Sequence, residues 1–157
     1  MGSLSTGKDQ LMDILEAIGN TSMVRLGKVV PPNCADVFVK LEWENPTGSV
    51  KDRMAQAVIS RAEEDGRLKP GNTVVEYTGG STGASLALVC AAKGYRIKIV
   101  SSDAFSQEKL DQMAALGAEL TLVPSEGGSH DQEADPGHDR DRPKVEPGAT
   151  HLLDRPA

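Results

Sequence analysis

Short apolar runs alternate with helix-like patterns along most of this chain. The runs are rich in β-branched residues and predict strands, whereas apolar residues recurring every three or four positions predict helices. Strands are predicted over residues 37–41, 74–77, 96–100 and 119–123, with an extended stretch at 24–26. Helices are predicted over residues 49–65, 82–93 and 106–116, with a short helical face over 11–17. The alternation predicts an α/β fold, a three-layer parallel sheet with flanking helices and right-handed crossovers.

The loop over residues 45–53 joins the first of these strands to the first long helix. Gly48 can adopt a positive φ, and Ser49 and Asp52 have the spacing of a capping box, which places Lys51 in the first helical turn. The helix dipole and burial would both disfavour an ammonium group there and give a neutral amine that can attack a carbonyl. The alternative interpretation is an exposed lysine beside a capped helix.

A second loop, Thr78-Gly79-Gly80-Ser81-Thr82-Gly83, follows a strand and precedes an apolar helix. Glycine and hydroxyl residues at such a turn present backbone N–H groups to an anion, with the helix dipole behind them. The loop lacks the lysine of a Walker motif and the glycine spacing of a dinucleotide fingerprint. A reactive lysine and an anion site suit an amino acid joined to an aldehyde cofactor. The alternative is a sugar- or nucleotide-binding α/β domain without chemistry.

Three motifs in order resemble the N-terminal part of the pyridoxal-phosphate enzymes of the cysteine synthase and cystathionine β-synthase family, which have fold type II. The motifs are Ile18-Gly19-Asn20-Thr21 with Val24 and Leu26, then Val39-Lys40-Leu41-Glu42 with Asn45-Pro46 and Ser49-Val50-Lys51-Asp52-Arg53, and finally Thr78 to Gly83. The resemblance covers residues from about 18 to about 126. It therefore implies an incomplete fold type II enzyme.

The resemblance also implies a chemistry and the residues that perform it. Lys51 would carry pyridoxal 5'-phosphate as a Schiff base and act as the proton-transfer base, and Ser81 stands where the family usually has an Asn that contacts the cofactor ring oxygen. Four residues would hold the carboxylate of a small amino-acid substrate: Thr78, Gly79, Ser81 and Thr82. The implied reaction is β-elimination or β-replacement on an O-activated serine, as in cysteine biosynthesis, by a lyase or transferase that is usually a homodimer. The alternatives are a truncated, inactive remnant of such an enzyme and a non-catalytic α/β binding domain.

The resemblance divides the chain into three parts. Residues 1–44 form a segment that in the family packs into the larger domain, and residues 45–126 form a small α/β domain with the lysine and the substrate loop. Residues 127–157 form a disordered or frameshifted tail. The family's glycine-rich phosphate loop lies in the larger domain, and the sequence after Gly83 offers no second cradle of that kind. We therefore expect the chain to lack the cofactor's phosphate site.

Composition narrows the possible partners and the compartment. The net charge of −6 argues against nucleic acid or an anionic membrane as a partner, and no apolar run approaches a membrane span. Cys34 and Cys90 are the only cysteines and lack metal-ligand spacing, which favours a reducing, cytoplasmic setting. The three histidines all lie in the tail, in a pattern that matches no metal site.

The sequence after Gly128 is charged and rich in proline, which is typical of a disordered acidic tail. Codons permitted from Ser129 onward, read one nucleotide later, can instead encode an amphipathic helix that resembles how the family continues. We predict a frameshift in the gene near Gly128. The nucleotide sequence tests this prediction directly, and codons that forbid the shifted helix would exclude it.

Overall fold

The computed structural model describes residues 12–125 and the backbone of residues 149–151. Its strands are β1 Met23–Arg25, β2 Phe38–Lys40, β3 Thr73–Tyr77, β4 Arg96–Ser102, β5 Glu119–Val123 and β6 Ala149–His151. Its α-helices are α1 Lys51–Glu64, α2 Ser81–Lys93 and α3 Gln107–Ala115, and a short 3-10 helix spans Glu42–Glu44. The predicted α/β fold class is confirmed.

The main sheet has four parallel strands in the order β5-β4-β3-β6. Helix α2 connects β3 to β4, and α3 connects β4 to β5, which is the crossover arrangement that parallel neighbours require. Strand β6 pairs with β3, with Ala149 opposite Thr73. It lies within the tail predicted to be disordered or frameshifted, and these three residues form a strand. The rest of that tail lies outside the described residues.

Helix α2 occupies the centre of the core, and small side chains on it allow α1 to pack closely. Its buried residues are Gly83, Ala84, Ser85, Leu86, Ala87, Val89 and Cys90. Helix α1 contributes Ala55, Ile59 and Ala62, and the strands contribute Val74, Ile97 and Ile99. Burial raises the pKa of the Cys90 thiol to about 12, so this cysteine remains a neutral core residue.

The segment before α1 differs from its prediction. Residues 14–17 form turns rather than a helix, with Asp13 Oδ1 accepting a hydrogen bond from the Leu15 N–H at 2.9 Å. Such a short run forms too few helical hydrogen bonds to offset the cost of nucleating a helix. Leu11, where the prediction began, lies outside the described residues. Leu15 and Ile18 nevertheless pack against the core, and β1 pairs antiparallel with β2.

A polar network centred on Glu42 joins this segment to α1. Arg53 donates hydrogen bonds to both Glu42 oxygens, at 2.9 and 3.0 Å. The side chains of Thr21 and Asn45 donate to the same carboxylate at 2.9 and 2.8 Å, and Asn45 also accepts from the Gly19 N–H at 2.8 Å. Chiefly because of the hydrogen bond from Arg53, the pKa of Glu42 falls to about 2.

None of the helices in the described ranges has the length and apolar character that crossing a bilayer requires. The finding is limited to those ranges.

The low pKa of Glu42 predicts a pH-dependent contribution to stability. Because the folded pKa of about 2 lies below the ordinary value of 4.5, the contribution is present above pH 4.5 and is lost as the pH falls through about 2. We expect the urea midpoint of the wild-type protein to fall more steeply between these pH values than that of Glu42→Gln. Circular dichroism measures the midpoints, with Glu64→Gln on the exposed face of α1 as the control. Equal slopes for wild type and Glu42→Gln would contradict the prediction.

Candidate active site

Lys51 is the first residue of α1, as its predicted place in the first helical turn requires. Ser49 Oγ accepts a hydrogen bond from the Lys51 N–H at 3.1 Å, so Ser49 supports the helix start as expected. The Lys51 side chain is exposed, which differs from the burial that the sequence interpretation invoked. An exposed primary amine remains accessible to a carbonyl compound.

The capping-box prediction is wrong for Asp52. Its carboxylate does not reach back to Ser49; Oδ2 accepts from the Thr47 N–H at 2.8 Å and Oδ1 from the Thr47 hydroxyl at 2.5 Å. Asp52 points inward from α1 and has no accessible surface. Its hydrogen bonds with Thr47 hold the preceding loop against it. The helix therefore begins two residues later than predicted, after a turn in which Gly48 adopts a φ of 75°.

The second predicted motif forms the turn between β3 and α2. The Thr78 N–H donates to the Val100 carbonyl at 3.0 Å and fixes the loop to the sheet. The Gly80 carbonyl accepts from the N–H groups of Gly83 and Ala84, at 3.0 and 3.4 Å.

Four successive backbone N–H groups follow Thr78 without a hydrogen-bond acceptor within the described residues. They belong to Gly79, Gly80, Ser81 and Thr82. Unpaired N–H groups at a helix start, with the helix dipole behind them, form a site suited to an anion. Three of the four predicted carboxylate-binding residues, Gly79, Ser81 and Thr82, lie in this run, and Thr78 lies directly before it.

Two glycines of the loop are required by close packing rather than by their φ angles. A Cβ atom at Gly79 would lie 1.9 Å from Cδ2 of Phe105, and a Cβ atom at Gly83 would lie 2.3 Å from the sulfur of Met113. The ring of Phe105 therefore lies directly against the loop over residues 78–83. Sequence reasoning missed Phe105; the only signal was an aromatic side chain between a predicted strand and a predicted helix.

Asp52 connects the two predicted motifs. Ser85 Oγ donates to Asp52 Oδ1 at 2.5 Å and lies 3.2 Å from the Thr47 hydroxyl. Ser85 is one helical turn beyond Ser81 on α2, so the first turn of α1, with Lys51, lies beside the first turns of α2. The structure thus brings the lysine-bearing helix start next to the helix start that follows the anion loop. Sequence reasoning missed the roles of Thr47 and Ser85.

In the part of the chain that the structure describes, no three His, Cys, Asp or Glu side chains lie close enough together to hold a metal ion. The fold and the site therefore define a class: an α/β protein with a parallel sheet, in which an accessible lysine and a loop of unpaired backbone N–H groups occupy adjacent helix starts.

Comparison with known families identifies this class. A family model described as pyridoxal-phosphate dependent enzyme matches residues 14–142. The chain belongs to this family, and the cofactor of the family is pyridoxal phosphate.

Within this family, the chain is similar to proteins named cysteine synthase. A cysteine synthase of Staphylococcus aureus is 53% identical over 112 residues, which cover 71% of this chain and 36% of the relative. Cysteine synthase B of Escherichia coli is 49% identical over 113 residues, which cover 72% of this chain and 37% of the relative. The chain thus spans little more than a third of the length of these curated relatives.

Solved structures agree with the sequence relatives. A cysteine synthase from Entamoeba histolytica superimposes with a TM-score of 0.69 at 40% identity, covering 79% of this chain and 38% of that protein. An O-ureido-L-serine synthase gives a TM-score of 0.68 at 46% identity, covering 75% of this chain and 38% of that protein. The resemblance to fold type II enzymes of the cysteine synthase type is confirmed.

The contact between Gly79 and Phe105 predicts the effect of a single methyl group. Gly79→Ala would force the ring away from the loop and lower the free energy of unfolding by about 1–3 kcal/mol, measured by urea denaturation. Gly80→Ala is the matched control, because its Cβ atom would have no neighbour within 4 Å. Adding Phe105→Ala to Gly79→Ala removes the overlap, so the two effects are not additive. Equal losses at Gly79 and Gly80, or strict additivity with Phe105→Ala, would refute the proposed contact.

Proposed function

We propose that this chain carries the lysine-bearing part of a pyridoxal-phosphate enzyme that performs β-elimination or β-replacement on an O-activated serine, as in cysteine biosynthesis. The single observation that carries the proposal is the link from Asp52 to Ser85, because it sets the Lys51 helix start beside the start of α2. Together with about 50% identity to cysteine synthases, this favours chemistry on an amino acid over simple binding.

The names of the similar proteins support the substrate class. They include cysteine synthases, an O-ureido-L-serine synthase and a hydrogen sulfide-producing enzyme from Fusobacterium nucleatum. Two of these names specify a product that is an amino acid, cysteine or a serine derivative, and the third specifies sulfide. A small amino-acid substrate for the present chain is consistent with all three.

The residues of this chain fit part of the cofactor and the substrate. The exposed amine of Lys51 suits the aldehyde group, and the N–H groups of residues 79–82 suit the substrate carboxylate. The described residues include no second glycine-rich turn at a helix start for the cofactor's phosphate. The fit therefore covers the reacting end of the cofactor, and the described residues provide no matching site for its phosphate.

Each residue has a distinct role in the proposal. Lys51 would hold the aldehyde group of the cofactor through its side-chain amine and would be the base that moves the proton at the substrate's α-carbon. Thr78, Gly79, Ser81 and Thr82 hold the carboxylate and so orient that carbon. Ser81 would also face the cofactor ring oxygen, because it stands where the family usually has an Asn that makes this contact, although the Ser81 side chain is shorter. When bound, pyridoxal phosphate supplies an electron-accepting ring that makes the α-proton acidic.

A second candidate is a remnant with this fold that binds but does not turn over substrate. The specific observation in its favour is apolar surface on the segment before α1. Met23, Phe38 and Trp43 are between 53% and 65% exposed, and a surface of this kind commonly marks an interaction site. A non-catalytic α/β binding domain is the third candidate.

A cytoplasmic location and a homodimer, both usual for the family, are part of the first proposal.

Covalent labelling separates these candidates. The protein is incubated with pyridoxal phosphate, reduced with borohydride, and mapped by peptide mass spectrometry, and turnover of O-acetylserine with sulfide is assayed in parallel. We expect label at Lys51 together with turnover, because Lys51 is accessible and adjacent to the anion loop. Lys51→Ala should lose both, whereas Lys69→Ala should keep both, because Lys69 precedes β3 and the loop over residues 78–83 follows the other end of that strand.

The other outcomes are equally informative. Label at Lys51 without turnover would favour the inactive remnant over the enzyme. Label spread evenly over the lysines, with none preferred at Lys51, would favour the binding domain and contradict the proposed function.

A further inference from the structure

Asp52 is a buried carboxylate whose hydrogen bonds join three segments of the chain. It has no accessible surface, and its oxygens accept from the Thr47 N–H, the Thr47 hydroxyl and the Ser85 hydroxyl. These donors lie on the loop before α1 and on α2, while Asp52 itself lies on α1. A single side chain therefore fixes the loop and both helices relative to one another.

No ion pair offsets the burial of this carboxylate within the described residues. Burying a charged group is costly unless hydrogen bonds replace its lost hydration, and an apolar residue of similar volume commonly stabilises a core as well or better. Packing alone therefore does not account for a carboxylate here. Its three short hydrogen bonds provide directional constraint, which apolar contacts lack.

The start of α1 depends on this constraint. The N-cap residue, Val50, makes no side-chain hydrogen bond to the helix. Ser49 Oγ accepts from the Lys51 N–H at 3.1 Å, and the Ser49 carbonyl accepts from the Asp52 N–H at 3.2 Å. Helix ends without strong caps fray easily. The contacts of Asp52 with Thr47 and Ser85 are side-chain hydrogen bonds that tie the turn containing Lys51 to the preceding loop and to α2.

We propose that Asp52 is a positioning residue that sets the Lys51 amine relative to the anion loop. Thr47 transmits the constraint to the loop before α1, and Ser85 transmits it to the helical turn that begins with Ser81. The inference rests on the proposed function for its chemical meaning. Asp52 itself contacts neither the cofactor nor the substrate in this proposal, and it acts through the residues on either side of it.

The other end of the same helix pair offers a matched control. Glu63 of α1 accepts hydrogen bonds from Lys93 at 2.7 Å and Tyr95 at 2.9 Å, so it also ties α1 to the α2 region. It lies three helical turns from Asp52. Glu63→Ala weakens the contact between the helices without touching the helix starts, and so reproduces a purely structural loss.

The test compares Asp52→Ala, Asp52→Asn and Glu63→Ala with the wild-type protein in two measurements. The first is the share of borohydride-fixed pyridoxal phosphate found at Lys51. We expect Asp52→Ala to lower this share about tenfold and Glu63→Ala to leave it unchanged, because small displacements of a reacting group have large effects. Asp52→Asn keeps the shape and one side-chain oxygen that can still accept from the Thr47 N–H, so it should give an intermediate value. It also preserves the comparison if Asp52→Ala fails to fold.

The second measurement is amide hydrogen exchange in the absence of cofactor. Asp52→Ala, or Asp52→Asn if necessary, should accelerate exchange in both residues 49–52 and 78–85, whereas Glu63→Ala should accelerate neither selectively. Equal effects of the Asp52 and Glu63 variants in both measurements would overturn the proposal. If the wild-type protein shows no preference for Lys51, the proposed function fails and exchange alone decides: selective acceleration supports the positioning role, and equal acceleration overturns it.

Discussion

The packing of α1 against α2 is the constraint on which the described structure depends, and the carboxylate of Asp52 fixes its functional end. Small residues such as Ala84 and Ala87 let the helices approach, but they do not define how far one helix slides along the other. Hydrogen bonds at both ends set that register: Asp52 with Ser85 at the starts, and Glu63 with Lys93 at the ends. A parallel sheet places helix starts at the carboxyl edge of its strands, so fixing the register there also fixes the candidate site.

The site combines an accessible amine with a closely packed loop. Lys51 is exposed, whereas Gly79 is covered by the ring of Phe105. This division suits the proposed roles. The amine proposed to react with the cofactor is accessible, and the loop proposed to bind an anion has donors that need not reorganise when a charge arrives. Phe105 belongs to the segment after β4 and is distant in sequence from the loop that it supports.

The sequence predicted the elements far better than the contacts between them. Strands β3 and β5 and helix α2 emerged within a few residues of their predicted bounds, because β-branched runs and the terminating Gly94 are local signals. The predicted helix over 11–17 was too short to persist, and the spacing of Ser49 and Asp52 fitted a capping box that the structure does not form. Whether Asp52 points outward or into the core depends on Ser85, 33 residues away, which no local pattern reveals.

The polar network of Glu42 and Arg53 attaches the segment before α1 to that helix, although the hairpin of β1 and β2 in this segment remains exposed. An isolated two-stranded sheet is only marginally stable, and Met23 and Phe38 gain little burial from β1 and β2. Arg53 anchors the connection through Glu42, and Arg53 lies two residues after Lys51 on the same helix. A single helical turn of α1 therefore supports both the candidate site and the preceding segment. Disturbing that turn should therefore loosen the two together.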